Sequence, residues 1–352
     1  MSNSDTKYSR FWTVKKENGT NNYSIKNSGY SRPNLVTTNS GKTIEVSADR
    51  TETFTIDTEM SLPTNQYSLV ITSDPQYPWT DKTDDGISEP EKVKESRSEE
   101  LIRAQYESVN EYNAKSGLRS LTMINGDITA FGHNYQWNKM NNLFQILDQT
   151  YYYGLGNHDI ENNQNDCFQD GCFNTSLNHL RGHVTQNHNI IDFDYNTVSS
   201  HGYSIEVGTG LTYVQLNNYP TMSYTSKYSK HGISPNLSWI EKEFSKARTK
   251  GHNIIVGVHK PNDWKTGPSP EFISLLNRYK VKAVFAGHYH KNIGEFSSSS
   301  YFGQTPVFLS GSASQESYLI VENDMNYLNI YQVLKNDWKN KELIRKIPLS
   351  KS

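Results

Sequence analysis

Excess charge of either sign is missing from this 352-residue chain. Its 35 Lys and Arg stand against 37 Asp and Glu, a formal net charge of −2. That balance offers no electrostatic footprint for nucleic acid or for an anionic membrane. Long apolar runs are missing too, and none approaches the roughly 20 residues a bilayer span requires. The opening Met1-Ser2-Asn3-Ser4-Asp5-Thr6-Lys7 has no apolar segment of the signal-peptide kind. The cytoplasm is therefore the default compartment, with secretion left open. Cysteine is scarce: Cys167 and Cys172 sit five apart in a polar stretch. They could close a small disulfide of modest stabilising effect or stay as two thiols. As a structural zinc site the pair is incomplete, because four ligands are needed. Cysteine usage thus does not fix the compartment, and nothing in the sequence sets the oligomeric state.

What the chain does have is aromatic and β-branched bulk. Hydrophobic residues make up 34% and aromatics 12%, including 23 Tyr, enough for an α/β core plus an accessory segment. Residues 1–66 are rich in Asn, Ser, Thr, Lys and Tyr. Short alternating runs such as Tyr23-Ser24-Ile25, Thr43-Ile44-Glu45-Val46 and Thr53-Phe54-Thr55-Ile56-Asp57 predict a few strands there. Phe11-Trp12-Thr13-Val14 with Tyr23 to Gly29 reads as a hairpin in preference to one lobe of a sugar-binding trefoil. A loop after Gln76 runs to about Lys94. Ser98 then opens a helix on Leu101, Ile102, Tyr106 and Val109, and Gly117 ends it. Trp137, Met140, Phe144 and Leu147 recur at helical spacing and read as core. Residues 160–200 hold no pattern for long and read as a loop insertion. It carries His179, Arg181, His183 and His188, taken as solvated, with Arg181 the choice if one of them meets substrate. Tyr203 to Val207 and Thr212 to Leu216 form a hairpin pattern, and Ser234-Pro235 looks like a helix cap. Phe272, Ile273, Leu275 and Leu276 mark one more helix, and short strands follow.

Five stretches share one form: an apolar run that ends in polar, ligand-type residues. Ser68 to Ser73 precedes Asp74-Pro75-Gln76, and Leu121 to Asn125 precedes Gly126-Asp127. Tyr151 to Leu155 precedes Gly156-Asn157-His158-Asp159, Ile254 to Val258 precedes His259, and Val281 to Ala286 precedes Gly287-His288-Tyr289-His290. Repeated strand–helix units with functional residues at the carboxyl ends of strands are the plan of an α/β domain.

This ordered set resembles the calcineurin-like metallophosphoesterase superfamily, whose blocks read D-x-H, G-D, G-N-H-D/E, H and G-H-x-H. The resemblance runs from about Tyr67 to Val333. It implies a four-layer α/β/β/α sandwich over residues 67–335, with 1–66 as a small β-rich accessory segment and 336–352 as a C-terminal tail. It also implies two divalent metal ions. Asp74, Gln76, Asp127 and His290 would hold the first, and Asp127, Asn157, His259 and His288 the second, with Asp127 as the bridge. His158 would serve as the acid that protonates the leaving oxygen, with Asp159 orienting and charging it.

Gln76 departs from the commoner His and matches a minority branch of small Ser/Thr-type phosphatases with a D-P-Q start. An amide oxygen is a harder donor than imidazole, which favours manganese or magnesium over zinc or iron at the first site. The implied activity is phosphoester hydrolysis on a phosphorylated small molecule or phosphoprotein, with a monoesterase preferred to a phosphodiesterase. The competing class is a binding or toxin-like module with a degenerate phosphoesterase site.

Overall fold

The computed structural model describes residues 66–187, 189–297 and 299–349, together with six short strands within the first 55 residues. The chain divides into two compact units, Met1–Thr64 and Asn65–Ser352. In the first, Tyr8–Ser9, Trp12–Lys16, Asn22–Asn27 and Thr51–Thr55 form one antiparallel sheet in that order, and Asn34–Thr37 pairs with Thr43–Val46. The expected hairpin and strands fall here, although Phe11, Ser28, Gly29, Ile56 and Asp57 lie outside the described residues.

The second unit is built on two sheets whose central strands are buried on both faces. In chain order they begin with β1 (Tyr67–Thr72), β2 (Arg119–Asn125) and β3 (Tyr151–Gly154). Next come β4 (Ile190–Phe193), β5 (Tyr203–Glu206), β6 (Leu211–Gln215), β7 (Asn253–Gly257) and β8 (Ala283–Ala286). The last are β9 (Ile293–Phe296), β10 (Val307–Ser310), β11 (Tyr318–Asn323), β12 (Tyr327–Val333) and β13 (Glu342–Pro348). One six-stranded sheet has the order β13-β12-β11-β1-β2-β3, and a seven-stranded sheet has the order β4-β5-β6-β7-β8-β10-β9. In the six-stranded sheet β1, β2 and β3 run parallel while β11, β12 and β13 join antiparallel; in the seven-stranded sheet the pairs β6–β7, β7–β8 and β8–β10 are parallel and the outer pairs antiparallel. Every residue of β1, β7 and β8 is buried, as parallel strands covered on both sides must be.

Side chains bind the two sheets face to face. The Tyr213 hydroxyl donates to Asn125 Oδ1 (3.0 Å), and the Tyr203 hydroxyl donates to the Tyr153 carbonyl (2.9 Å). Helix α1 (Glu91–Lys115) covers the outer face of the six-stranded sheet. Gln105 accepts from Thr72 (2.7 Å) and the Tyr112 hydroxyl donates to Glu322 (3.0 Å). A second helix on this side, α2 (Asn134–Phe144), buries Trp137, Met140 and Phe144 as core. On the seven-stranded sheet lies α4 (Leu237–Thr249), where Glu243 accepts from Ser204 on β5 (2.7 Å). The helix with the Phe272 and Leu276 stripe is α5 (Pro270–Arg278). The layering is α/β/β/α.

Four expectations need correction. Helix α1 starts at Glu91 and not at Ser98, because its first two turns are exposed and carry no apolar stripe; Ser98 is its first buried residue. The cap of α4 is Asn236, whose side chain accepts from Trp239 N (3.0 Å), so Ser234 and Pro235 precede it.

Residues 160–200 are not a structureless loop. Helix α3 (Gly171–Gln186) buries Phe173, Leu177, Leu180 and Val184, a regular one-face spacing hidden among polar residues. Its histidines are packed. His179 stacks on Trp137 and His183 on Tyr153, both at 4.5 Å between ring centroids, and burial pushes His183 down to about 4. The Arg181 guanidinium lies over the Tyr195 ring (4.2 Å) and donates to the Asn196 carbonyl (2.7 Å). His188 lies outside the described residues. Cys167 and Cys172 are joined as a disulfide at the entry to this helix. Finally, the 336–352 segment supplies β13, which pairs with β12 through the register Tyr327–Pro348 to Gln332–Glu342. Among the described residues no helix is long and apolar enough to cross a membrane.

Candidate metal centre

Each expected donor leaves its sheet at the carboxyl end of a strand. Asp74 and Gln76 follow β1, Asp127 follows β2 and Asn157 follows β3, while His259 follows β7, and His288 and His290 follow β8. The loops are stitched together by backbone bonds. Asp74 N donates to the Gly126 carbonyl (3.0 Å), Gln76 N to the Asp127 carbonyl (2.8 Å) and Gly287 N to the His259 carbonyl (3.0 Å). Asp74, Gln76, Asp127 and His288 have φ of 51°, 40°, 50° and 75°, left-handed backbone that non-glycine residues rarely take. Glycine is required where the loops meet. A Cβ on Gly156 would stand 2.1 Å from Asp127 Oδ1, and one on Gly287 would stand 2.5 Å from Asp74 Oδ2.

The donors converge in two groups. One atom each from Asp127, His259 and His288 lie within 4.8 Å of one another, and so do atoms from Asp74, Asp127 and His290. Asp127 belongs to both. Asp74 Oδ1 is 3.2 Å from His290 Nε2, and Asp127 Oδ2 is 3.0 Å from His259 Nε2. Asn157 Oδ1 is 3.0 Å from the same His259 nitrogen. Each carboxylate has one oxygen tied to the backbone: Asp74 Oδ2 accepts from His288 N (3.0 Å) and Asp127 Oδ1 from His158 N (2.8 Å). The inward oxygens, Asp74 Oδ1 and Asp127 Oδ2, are buried and receive no hydrogen bond; both polar atoms of the fully buried Gln76 amide are likewise unpaired.

This is a donor set that fits a cation. His259 Nδ1 donates to the Asn125 carbonyl (2.8 Å), so in the neutral ring Nε2 is a lone pair facing two acceptor oxygens. Such a cluster of buried acceptors is costly unless positive charge sits among them. Burial alone would lower both imidazoles, yet the Asp127 and Asp74 carboxylates hold His259 up at about 9, and Asp74 with Asp84 holds His290 up at about 10. Asp127 stays well below the usual carboxylate range in spite of its burial, through the His259 and His158 rings beside it. His288, by contrast, is pushed down to about 4 by burial and by the charge of His259.

His158 and Asp159 are close to this cluster but not paired as expected. His158 Nδ1 bonds the Ala130 carbonyl (2.8 Å). The Asp159 carboxylate accepts from the backbone N–H groups of Gly156, Ile128 and Thr129 and from the Thr129 hydroxyl, all at 2.9–3.0 Å. The carboxylate–imidazole pair is therefore overturned: the carbonyl of Ala130 orients the ring, and Asp159 lashes the loop after β3 to the loop after β2. Burial and the neighbouring Asp127 push the Asp159 carboxyl up to about 6.

Sequence reasoning missed Asp84. It accepts from His290 Nδ1 (2.6 Å) and Trp79 Nε1 (2.7 Å) through Oδ1, and from Gln315 Nε2 (2.7 Å) through Oδ2. Burial alone would raise this carboxyl, but those bonds and the charge of His290 hold it at about 2. Nothing but its place in the acidic stretch Asp81 to Asp85 marked it in the sequence. A carboxylate behind a ligating imidazole fixes the tautomer and raises basicity, so Asp84→Asn should weaken ion binding at the His290 site by about 10–100-fold. A calorimetric manganese titration reads this directly; unchanged affinity for both ions would remove Asp84 from the site.

Two overlapping carboxylate–imidazole sets at the rim of a double-sheet sandwich are the donor arrangement of a binuclear metallohydrolase. Residues 67–292 match the calcineurin-like phosphoesterase family, and the chain belongs to that family of metal-dependent phosphohydrolases. Among solved structures, a dimetal phosphatase from Danio rerio is similar with a TM-score of 0.51 at 13% identity, covering 82% of this chain and 100% of that one. Purple acid phosphatase PPD1 from yellow lupin (Lupinus luteus) seeds is similar with a TM-score of 0.51 at 11% identity, covering 90% of this chain and 57% of the plant chain. At such identities the likeness is one of fold. No curated protein sequence matches the chain.

Proposed function

We propose that the chain is a phosphomonoesterase acting on a phosphorylated small molecule or phosphoprotein, with Asp74, Gln76, Asp127 and His290 holding one ion and Asp127, Asn157, His259 and His288 the other. The observation that carries this reading is the pair of donor groups sharing Asp127, with inward oxygens that nothing else satisfies. When bound, the two ions polarise the phosphoryl oxygens and acidify the attacking water. The chain's own residues do the rest. Asp159 and the crossing backbone bonds fix the loops, and Ala130 sets the His158 tautomer so that Nε2 is the nitrogen left for proton transfer. In the imidazolium, Nδ1–H stays on the Ala130 carbonyl and the Nε2 proton passes to the leaving oxygen. In this reading residues 1–66 are an accessory segment outside the hydrolase proper.

The test is hydrolysis of p-nitrophenyl phosphate against its bis-ester with added manganese. Preference for the mono-ester by at least about tenfold in kcat/KM is expected; the reverse preference would make the enzyme a diesterase.

Gln76 sets the metal preference. Its buried, unpaired amide supports a hard oxygen donor, hence manganese. Gln76→His should tighten zinc binding more than manganese binding. Gln76→Ala should raise the manganese concentration needed for half-maximal activity while the second ion stays bound. Activity titrations with bound metal counted in parallel decide it: identical curves and stoichiometry for all three proteins would mean that Gln76 is not a ligand.

A further inference from the structure

Rings lead from His158 out to the surface. Trp79 stands edge-on to His158, with centroids 5.2 Å apart, and to His290 at 5.7 Å. Phe131 lies 6.4 Å from His158, His133 lies 6.0 Å from Phe131, and Tyr135 lies 5.8 Å from His133. Phe131 is 44% exposed and Tyr135 46% exposed. Phe168, at 86%, follows Cys167, whose sulfur lies within 4.8 Å of a His133 ring nitrogen. Single exposed aromatics need no explanation, but a contiguous set that begins against the imidazole of a reaction centre does.

We propose that Trp79 and Phe131 form the leaving-group subsite and that the substrates are aryl phosphates, esters whose leaving oxygen is carried directly on an aromatic ring. This rests on the reading of His158 as the proton donor. To receive that proton, the leaving oxygen must come within about 2.6–3.2 Å of the imidazole. The carbon bonded to that oxygen then lies against the same two rings that touch His158. A flat ring at that place gains offset or edge-on contact with them, and an aliphatic alcohol does not. In the reaction the P–O bond to the aryl oxygen breaks, water supplies the new P–O bond, and the aryl oxygen leaves as a phenol with the His158 proton. The phenol can be free or can be a tyrosine side chain in a peptide.

The experiment compares phenyl phosphate with hexafluoroisopropyl phosphate, whose alcohols are of similar acidity, so that the ring is the difference. Wild type should favour the phenyl ester by about tenfold in kcat/KM, and Phe131→Ala should erase most of that ratio. Phe131→Tyr should restore it. Phe131 is exposed and its backbone N–H bonds the Gln136 side chain (2.9 Å), so the alanine variant keeps its local structure. A phosphotyrosine peptide run alongside separates a peptide-borne ring from a free one. In parallel, calorimetry with phenylphosphonate and propylphosphonate, which are not turned over, reads the ring preference as binding alone. Equal kcat/KM for the two esters, or equal affinity for the two phosphonates, overturns the subsite while leaving the phosphatase reading intact. Ring-selective phosphonate binding without hydrolysis of either ester would sink the phosphatase reading and keep the subsite.

Discussion

Asp127→Asn is expected to abolish turnover and to empty at least one ion site. Asp127 is the residue common to both donor groups, it is fully buried, and its Oδ2 faces His259 Nε2 at 3.0 Å. The amide keeps the shape but removes the negative charge that holds His259 protonated or an ion in place. An Asn side chain would also turn its N–H₂ either on the His158 backbone N–H, a clash of donors in a dry site, or into the donor cluster, where it would replace the oxygen an ion would use. Bound manganese per chain, measured beside kcat, gives the answer. A variant that retains two ions and a rate within about tenfold of wild type would mean that Asp127 does not bridge.

His158→Ala should have a different signature: the ions should stay and the rate should fall, by roughly 10²–10⁴-fold for a lost general acid. The group that His158 gives to Asp127 is its backbone N–H, which alanine keeps, so the donor set is undisturbed. The loss should be larger for esters with poor leaving groups, because those depend most on protonation. Stopped assays over a series of leaving groups, with metal analysis of the same samples, test both halves. If the variant loses its metal, or if every leaving group suffers equally, then His158 acts on the ions or the phosphoryl oxygens and not on the leaving oxygen.

The strand-then-donor blocks were legible because buried parallel strands read as plain apolar runs and their ends are forced to be polar. That is why Asp74, Asp127, Asn157, His259 and the His288–His290 pair could be gathered before any coordinates, and why the sandwich followed. Three things were not legible. Helix α3 was hidden because its four buried anchors are separated by Asn, Ser, Thr and His, and its histidines pack as flat hydrophobes on Trp137 and Tyr153. The role of Asp159 was misread because neighbours in sequence point apart: its carboxylate reaches back to Ile128 and Thr129, while the His158 ring turns to Ala130. Asp84 could not be found because its partner His290 is 206 residues away, and no local pattern encodes such a contact.

The four donors held at positive φ set fold and chemistry against each other. Left-handed backbone costs a non-glycine residue about 1–3 kcal/mol, and glycine would relieve it at each position. The same side chains also tie the loops, since Asp74 and Asp127 accept from the His288 and His158 backbone N–H groups, so glycine there would trade strain relief against lost loop bonds and lost ion donors. On the proposed ligand assignment, these four positions tell a protein engineer where thermostability must not be sought.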